Sequence, residues 1–320
     1  MAEIEDTVIG TPLEDAPIIP FSSVDGTGKE EVLALLETLK QRERPTSGAF
    51  RLPIDRHFTN HGFGTIITGT TWSGTLNEGD AVTLLPSGIT SRARALQAHG
   101  GGVATLTPGL RGAINLANIE RSALAAGEVV TTGEVPCCNM IDVHLHNLKR
   151  GQPLKEGSEV RLLHGTTDVM ARLYLTTEDG TLQPGESAMA QLRLSAALPC
   201  LPNDRFILRM PSPQITLGGG HIIDCWPPRL RKKNRKRCAQ ELSDLDGGDV
   251  NVWLTRAGDL GIPVATWAVR APDSDAGVTL AGHVYAHDVI ARLSKALLAE
   301  LTLFHKENPL VSGPGKRELL

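Results

Sequence analysis

The 320-residue sequence predicts a mainly β protein: two tandem antiparallel β-barrels, preceded by a short α/β start and followed by a helical tail. Three observations carry this. Between Phe50 and Asp224, turn signals recur about every 8–12 residues, with short alternating segments between them. The 33 Gly and 20 Pro suit a chain with many tight turns. Extended helical spacing is confined to the two ends.

In the first block, residues 1–44, "APIIPFSSVDGTGKEEVLALLETLK" gives a short apolar strand (Ile18–Phe21), a Ser/Gly turn and a helix. Leu33, Leu35, Leu36 and Leu39 supply the apolar positions of that helix, with Glu37 and Lys40 in the same spacing. A lone β-turn-α unit cannot bury both faces, so it reads as the end of a larger α/β domain. "QRERPTSG" is a polar linker. Residues 45–133 form the first barrel, punctuated by "HGFG", "SGTLNEGD", "PSG", "AHGGG", "TPGL" and "AAGE". Residues 134–228 form the second, with strands such as "MIDVHLHNL", "VMARLYL" and "HIID" cut by "KEGS", "LPND" and "TLGGG". Residues 229–320 open on a basic run. They continue into "HVYAHDVIARLSKALLAELTLFHKENP", read as one helix, and close on "GKRELL", read as the start of an unfinished helix.

Composition narrows the class. The five cysteines form no C-x-x-C: Cys137 and Cys138 are adjacent, while Cys200, Cys225 and Cys238 stand apart. Such a set fits free thiols in a reducing cytoplasm better than a disulfide framework or a zinc ribbon. The acidic opening carries no secretory pattern, and no apolar run approaches the ~20 residues of a membrane span. The net charge of −4 hides an uneven distribution, because Arg229, Arg231, Lys232, Lys233, Arg235, Lys236 and Arg237 crowd into nine residues. That run is either a solvated interdomain stretch or a phosphate-backbone contact for RNA.

No motif supplies a self-contained active site. "VDGTGKEE" lacks a Gly five positions before Gly28 and has Glu30 where a phosphate loop needs Ser or Thr, so it reads as a helix entry shaped by Gly26 and Gly28. His283 and His287 lie four apart on the expected tail helix, without the Glu of a zinc-protease pattern. His144 and His146 share a strand face but lack a neighbouring third ligand. No catalytic residue and no metal site is assigned.

The stretch "RLPIDRHFTNHGFGTIITGTTWSGTLNEGD", Arg51 to Asp80, raises a different question. Simple alternation puts Arg51, Pro53, Asp55, His57 and Thr59 on one face and Leu52, Ile54, Arg56 and Phe58 on the other. Charge beside an apolar stripe marks either a solvated edge or the lip of a binding pocket.

That stretch, with Gly62-Phe-Gly64-Thr65-Ile-Ile-Thr68-Gly69, resembles the opening strands of domain 2 in translational GTPases of the elongation-factor-Tu class. Ser22-Ser23-Val-Asp-Gly26 is similar to the last guanine-contacting loop of the class's G domain, which makes Ser22 and Ser23 a nucleotide-binding remnant. Three features resemble the selenocysteine-specific branch: "IDRHF" with "PGLRGAINLANI", "RLLHGTTDVMARLYL", and "DRFILRMPSPQITLGGGHIID". The tail is similar in kind to the winged-helix extension of that branch.

The resemblance implies a cytoplasmic, monomeric translation factor that uses GTP and Mg when complete. Its partners would be selenocysteyl-tRNA, the ribosome and, through further winged helices beyond Leu320, a selenoprotein mRNA hairpin. The family's phosphate loop, switch regions and guanine-specificity motif would precede Met1, so GTP hydrolysis is not expected of this chain alone. Asp55, Arg56 and Arg111 would line the pocket for the selenocysteyl group. A role for His57 there is open. The competing expectations are a fragment of an initiation- or general elongation-factor-like GTPase, and a non-enzymatic two-barrel RNA-binding module.

Overall fold

The computed structural model describes residues 2–9, 13–39, 44, 46–60, 64–272 and 274–314. Half of the "QRERPTSG" linker, Gly62, Phe63, Lys40 and the "GKRELL" segment lie outside the described residues. The chain divides into two compact units, Met1–Thr46 and Ser47–Leu320.

The first unit holds α1 (Ala2–Val8) and α2 (Lys29–Thr38). Ser22 to Gly28 is a tight turn in which the Gly26 amide donates to the Ser22 carbonyl and the Ser22 amide to the Thr27 carbonyl. Gly26 and Gly28 adopt φ of 82° and 74°, the left-handed values a helix entry of this shape needs. The expected strand at Ile18–Phe21 is absent. A strand needs a hydrogen-bonding neighbour, and none of the described residues supplies one. Leu33, Leu36 and Leu39 are correspondingly exposed.

In the second unit, β1 (Arg51–Asn60), β2 (Gly64–Thr70), β3 (Ala81–Leu85), β4 (Ile89–Ala98), β5 (Arg111–Leu116) and β6 (Val129–Thr131) form the first barrel. The order β3-β6-β1-β2-β5-β4 is closed by the β3–β4 pairing. Alternation along these strands turns Leu52, Ile67, Leu84, Leu96, Ile114, Leu116 and Val130 into one apolar interior. The second barrel comprises β7 (Cys137–Asn147), β8 (Glu159–His164), β9 (Thr167–Leu175), β10 (Ser187–Pro199), β11 (Arg205–Arg209) and β12 (Thr216–Asp224), closed in the order β7-β10-β9-β8-β11-β12. The mainly β class with tandem antiparallel barrels is as the sequence predicts.

"TLGGG" is not a cut between strands. It is the first half of β12, running antiparallel to β7. Glycine is required there by closeness: a Cβ on Gly218 or Gly220 would stand 2.1 Å from the His146 carbonyl oxygen or 1.8 Å from that of His144.

A buried ion pair joins the barrels. Arg51 of β1 donates from Nη1 and Nη2 to Asp204 Oδ2 and Oδ1 at 2.6 and 2.9 Å. His164 Nε2 lies 3.2 Å from Oδ2, and the Leu201 amide donates to the same oxygen at 2.8 Å. Trp72 packs against both Arg51 and His164. Burial pushes the Asp204 carboxyl up, but the hydrogen bonds from His164 and Arg51, together with the Arg51 charge, outweigh it and bring it to about 2.

Beyond the second barrel, α3 (Arg235–Asp246), α4 (Asn251–Ala257) and α5 (Val264–Arg270) pack with a small sheet in the order β13 (Ile262–Pro263), β15 (His283–Tyr285), β14 (Val278–Leu280). Leu242, Trp253, Leu254, Trp267 and Val284 form its core, and Ile223 of β12 joins them. α6 (His287–Glu307) follows. The tail segment is therefore not one helix from His283. Ala286 is extended at φ −64°, ψ 146°, leaving His283 on a strand and His287 at a helix start.

Candidate functional site

The site grows from an irregularity in β1. Ile54 pairs with Gly69 of β2 but Arg56 pairs with Thr68, so Asp55 is an extra residue, a β-bulge. The bulge breaks the simple alternation expected from sequence. Arg51 to Ile54 are all buried, because this end of the strand has the barrel interior on one side and the second barrel's Asp204 on the other. After it, Asp55 and Arg56 are both exposed, and His57 is half-buried opposite Ile67, with Nδ1 enclosed and unpartnered. Gly69 permits the distortion, since a Cβ there would meet the Pro53 carbonyl oxygen at 2.2 Å.

From the bulge, the Asp55 carboxylate reaches across β2. Thr68 Oγ1 donates to Oδ1 at 2.7 Å. Arg111, the first residue of β5 and the register partner of Thr70, donates from Nη2 to Oδ1 at 3.0 Å and from Nη1 to Oδ2, a bidentate fork. Partial burial pushes the Asp55 carboxyl up. The bonds from Arg111 and Thr68, with the charges of Arg111 and Arg56, more than offset it and hold the group below the usual carboxylate range. Its partner Arg111 is raised in turn by that hydrogen bond and charge.

The structure thus brings Asp55 and Arg111 into contact and places Arg56 within their field. Among the described residues Arg56 has no hydrogen-bond partner. Two guanidiniums and one carboxylate leave a net charge of +1 on an accessible surface, a combination suited to an anion. Thr68, which sequence reasoning did not single out, completes the cluster. Its signal was its position beside Gly69 in the Thr-Gly pair.

The remaining candidates lie elsewhere. In the first unit, Ser22 Oγ accepts from the Asp25 amide at 3.4 Å and Ser23 is exposed. In the basic run, Arg229, Arg231, Lys232 and Lys233 are exposed. Arg235 is largely covered, donating to Glu156 and to the Thr177 and Glu178 carbonyls of the second barrel. Lys236 pairs with Glu178 at 2.7 Å and Arg237 with Glu241 at 3.4 Å. The first four residues remain available to a partner, and Arg235 holds the helix to the barrel.

Comparison with known proteins agrees with this architecture. Residues 64–131 match the family model for elongation factor Tu domain 2, which makes the first barrel that of a translation factor. Residues 141–229 match the model for the selenocysteine-specific elongation factor β-barrel domain. Two stretches of the chain are thus similar to translation-factor barrels, the second to that of the selenocysteine-specific elongation factor. It is 32% identical over 99% of its length to the selenocysteine-specific elongation factor of Desulfomicrobium baculatum, covering 54% of that protein. It is 28% identical over 95% of its length to that of Escherichia coli, covering 50%. The chain therefore spans about half the length of the curated relatives it matches. A crystal structure of a bacterial selenocysteine-specific elongation factor superposes with a TM-score of 0.75 over 99% of this chain and 53% of its own, at 21% identity, a likeness of fold. Among the described residues, no helix is long and apolar enough to cross a membrane.

Proposed function

We propose that this chain supplies the aminoacyl-tRNA-holding barrels of a selenocysteine-specific elongation factor, and that Asp55, Arg56 and Arg111 recognise the selenocysteyl side chain. The observation that carries the reading is the Asp55–Arg111 fork beside an exposed Arg56 whose side chain makes no hydrogen bond among the described residues. A selenol is more acidic than a thiol, whose ordinary pKa is about 8.5, so the free side chain of the tRNA-esterified amino acid arrives as an anion at neutral pH. Asp55 and Thr68 fix the Arg111 fork, and Arg56 offers a second set of charged donors. Seryl-tRNA brings a neutral hydroxyl instead and leaves those donors poorly matched, a penalty on the order of 1–3 kcal/mol. Selection then rests on charge rather than on size.

In this reading the complete factor, with GTP and Mg on its GTPase domain, delivers the tRNA to the ribosome at a recoded codon marked by an mRNA hairpin, as a cytoplasmic monomer. Exposed Arg229, Arg231, Lys232 and Lys233 contribute sequence-independent phosphate contacts. The test is binding of selenocysteyl- and seryl-tRNA to full-length factor with and without Arg111→Ala. The expected result is loss of roughly tenfold or more in preference, equivalent to about 1.4 kcal/mol. Discrimination equal to that of the unaltered factor overturns the pocket.

A further inference from the structure

His144, His221 and Asp246 converge from three elements the sequence keeps far apart. His144 of β7 and His221 of β12 are directly paired across the second barrel wall, with ring centroids 5.3 Å apart. Asp246, the last residue of α3, meets both. Its Oδ2 lies 2.9 Å from His144 Nδ1 and its Oδ1 2.5 Å from His221 Nε2. One donor atom from each residue lies within 4.8 Å of the other two. His146, which shares the strand face with His144 in "VHLH", takes no part, its Nδ1 lying 3.0 Å from Ser187 Oγ.

We propose that His144, His221 and Asp246 form a binding site for a divalent transition-metal ion, zinc by its chemistry, that clasps the second barrel to the helical module. Two imidazoles and one carboxylate are a donor set zinc accepts, at about 2.0–2.2 Å from each atom. An ion bound by all three needs its donor atoms roughly 3.3 Å apart, inside the 4.8 Å that encloses them, so side-chain rotation rather than backbone movement completes the shell. Each imidazole then binds as the neutral ring, its proton on the nitrogen facing away. The carboxylate also sits at the C-terminal end of α3, where the helix dipole disfavours an anion and a cation relieves it. Neither imidazole is fully buried and Asp246 is at the surface, so the three donors are open to an ion from solvent. The close packing of β12 on β7, allowed by Gly218 and Gly220, sets the His144–His221 register.

The experiment is titration of the metal-stripped chain with Co(II), read by visible spectroscopy, and with Zn(II), read by calorimetry and thermal unfolding. The expected result is one ion per chain, a tetrahedral Co(II) spectrum without a thiolate charge-transfer band, and a zinc-induced rise in unfolding temperature. Asp246→Asn and His221→Gln, each checked for native circular dichroism, weaken binding at least tenfold and abolish the rise, whereas His146→Ala leaves both unchanged. A thiolate band would overturn the site by placing the metal on the buried Cys138, Cys200 and Cys225 cluster. So would affinity equal to the parent in both ligand variants, or no saturable binding up to about 1 mM.

Discussion

Replacing Arg51 by Met tests how the two barrels are held. Arg51 and Asp204 are both more than nine-tenths buried and in bidentate contact, so removing the guanidinium strands a buried carboxylate. Breaking a buried pair from one side costs about 3–5 kcal/mol, chiefly because the remaining charge is stranded. Here Asp204 keeps the Leu201 amide and His164, so the lower end, about 3 kcal/mol, is expected for Arg51→Met. Asp204→Asn retains an oxygen for the Leu201 amide but strands the guanidinium. The double variant, with neither charge, should cost clearly less than the sum, a coupling of about 2 kcal/mol in a urea double-mutant cycle. A pH arm gives an independent figure. Depression of the carboxyl from the usual 3.8 to about 2 corresponds to about 2–3 kcal/mol of stability. Because the folded-state value is the lower, that contribution is complete above about pH 4 and drains away as pH falls toward 2. The acid-side loss should therefore be shallower in Arg51→Met. A cost below about 1 kcal/mol, or strict additivity in the cycle, would refute the clasp.

Asp142 has the opposite sign. Burial pushes its carboxyl up to about 7, with the Asp224 charge adding to the effect and the Gln191 hydrogen bond opposing it. A raised value means stability present below the ordinary 3.8 and lost as pH rises through 7, so Asp142→Asn, which can still accept from Gln191, should gain about 2 kcal/mol more at pH 8 than at pH 5 in urea melts. Thr68→Val removes the 2.7 Å bond to Asp55 and should reduce selenocysteyl-over-seryl preference by about fivefold, near 1 kcal/mol, with little change in melting temperature. An unchanged preference separates Thr68 from the site. Gly220→Ala forces a Cβ against the His144 carbonyl and should destabilise the second barrel by about 1–3 kcal/mol or more, read by thermal unfolding.

The barrels were legible because period-two alternation and turn chemistry are local signals. What escaped the sequence depends on partners far along the chain. "TLGGG" looked like a turn because glycine usually marks one, whereas here it lets one strand lie close to another. Ile18–Phe21 has strand composition, but a strand is defined by its neighbour. The Asp55 bulge leaves no mark in β1 itself, since the extra residue exists only relative to the register of β2. Asp246 lies 102 residues from His144, so no spacing rule connects them. Arg111 entered by resemblance rather than by pattern, and the structure gives it a physical partner in Asp55.

The bulge also explains how one strand carries both a buried ion pair and an exposed charge cluster. Before it, β1 is covered on both sides, and Arg51 is committed to Asp204 in the second barrel. After it, the backbone has gained a residue, and two successive side chains, Asp55 and Arg56, both emerge into solvent instead of pointing to opposite faces. A regular strand would turn one of these charges into the apolar interior, where it would need a buried counterion and several kcal/mol of compensation. The inserted residue avoids that cost and directs the carboxylate across β2 to Arg111. The carboxylate thereby neutralises and orients one guanidinium, while among the described residues the Arg56 side chain makes no hydrogen bond, so the surface keeps one positive charge beside the fork. On the proposed reading, an anionic side chain completes that arrangement and a neutral hydroxyl does not, so discrimination would follow charge.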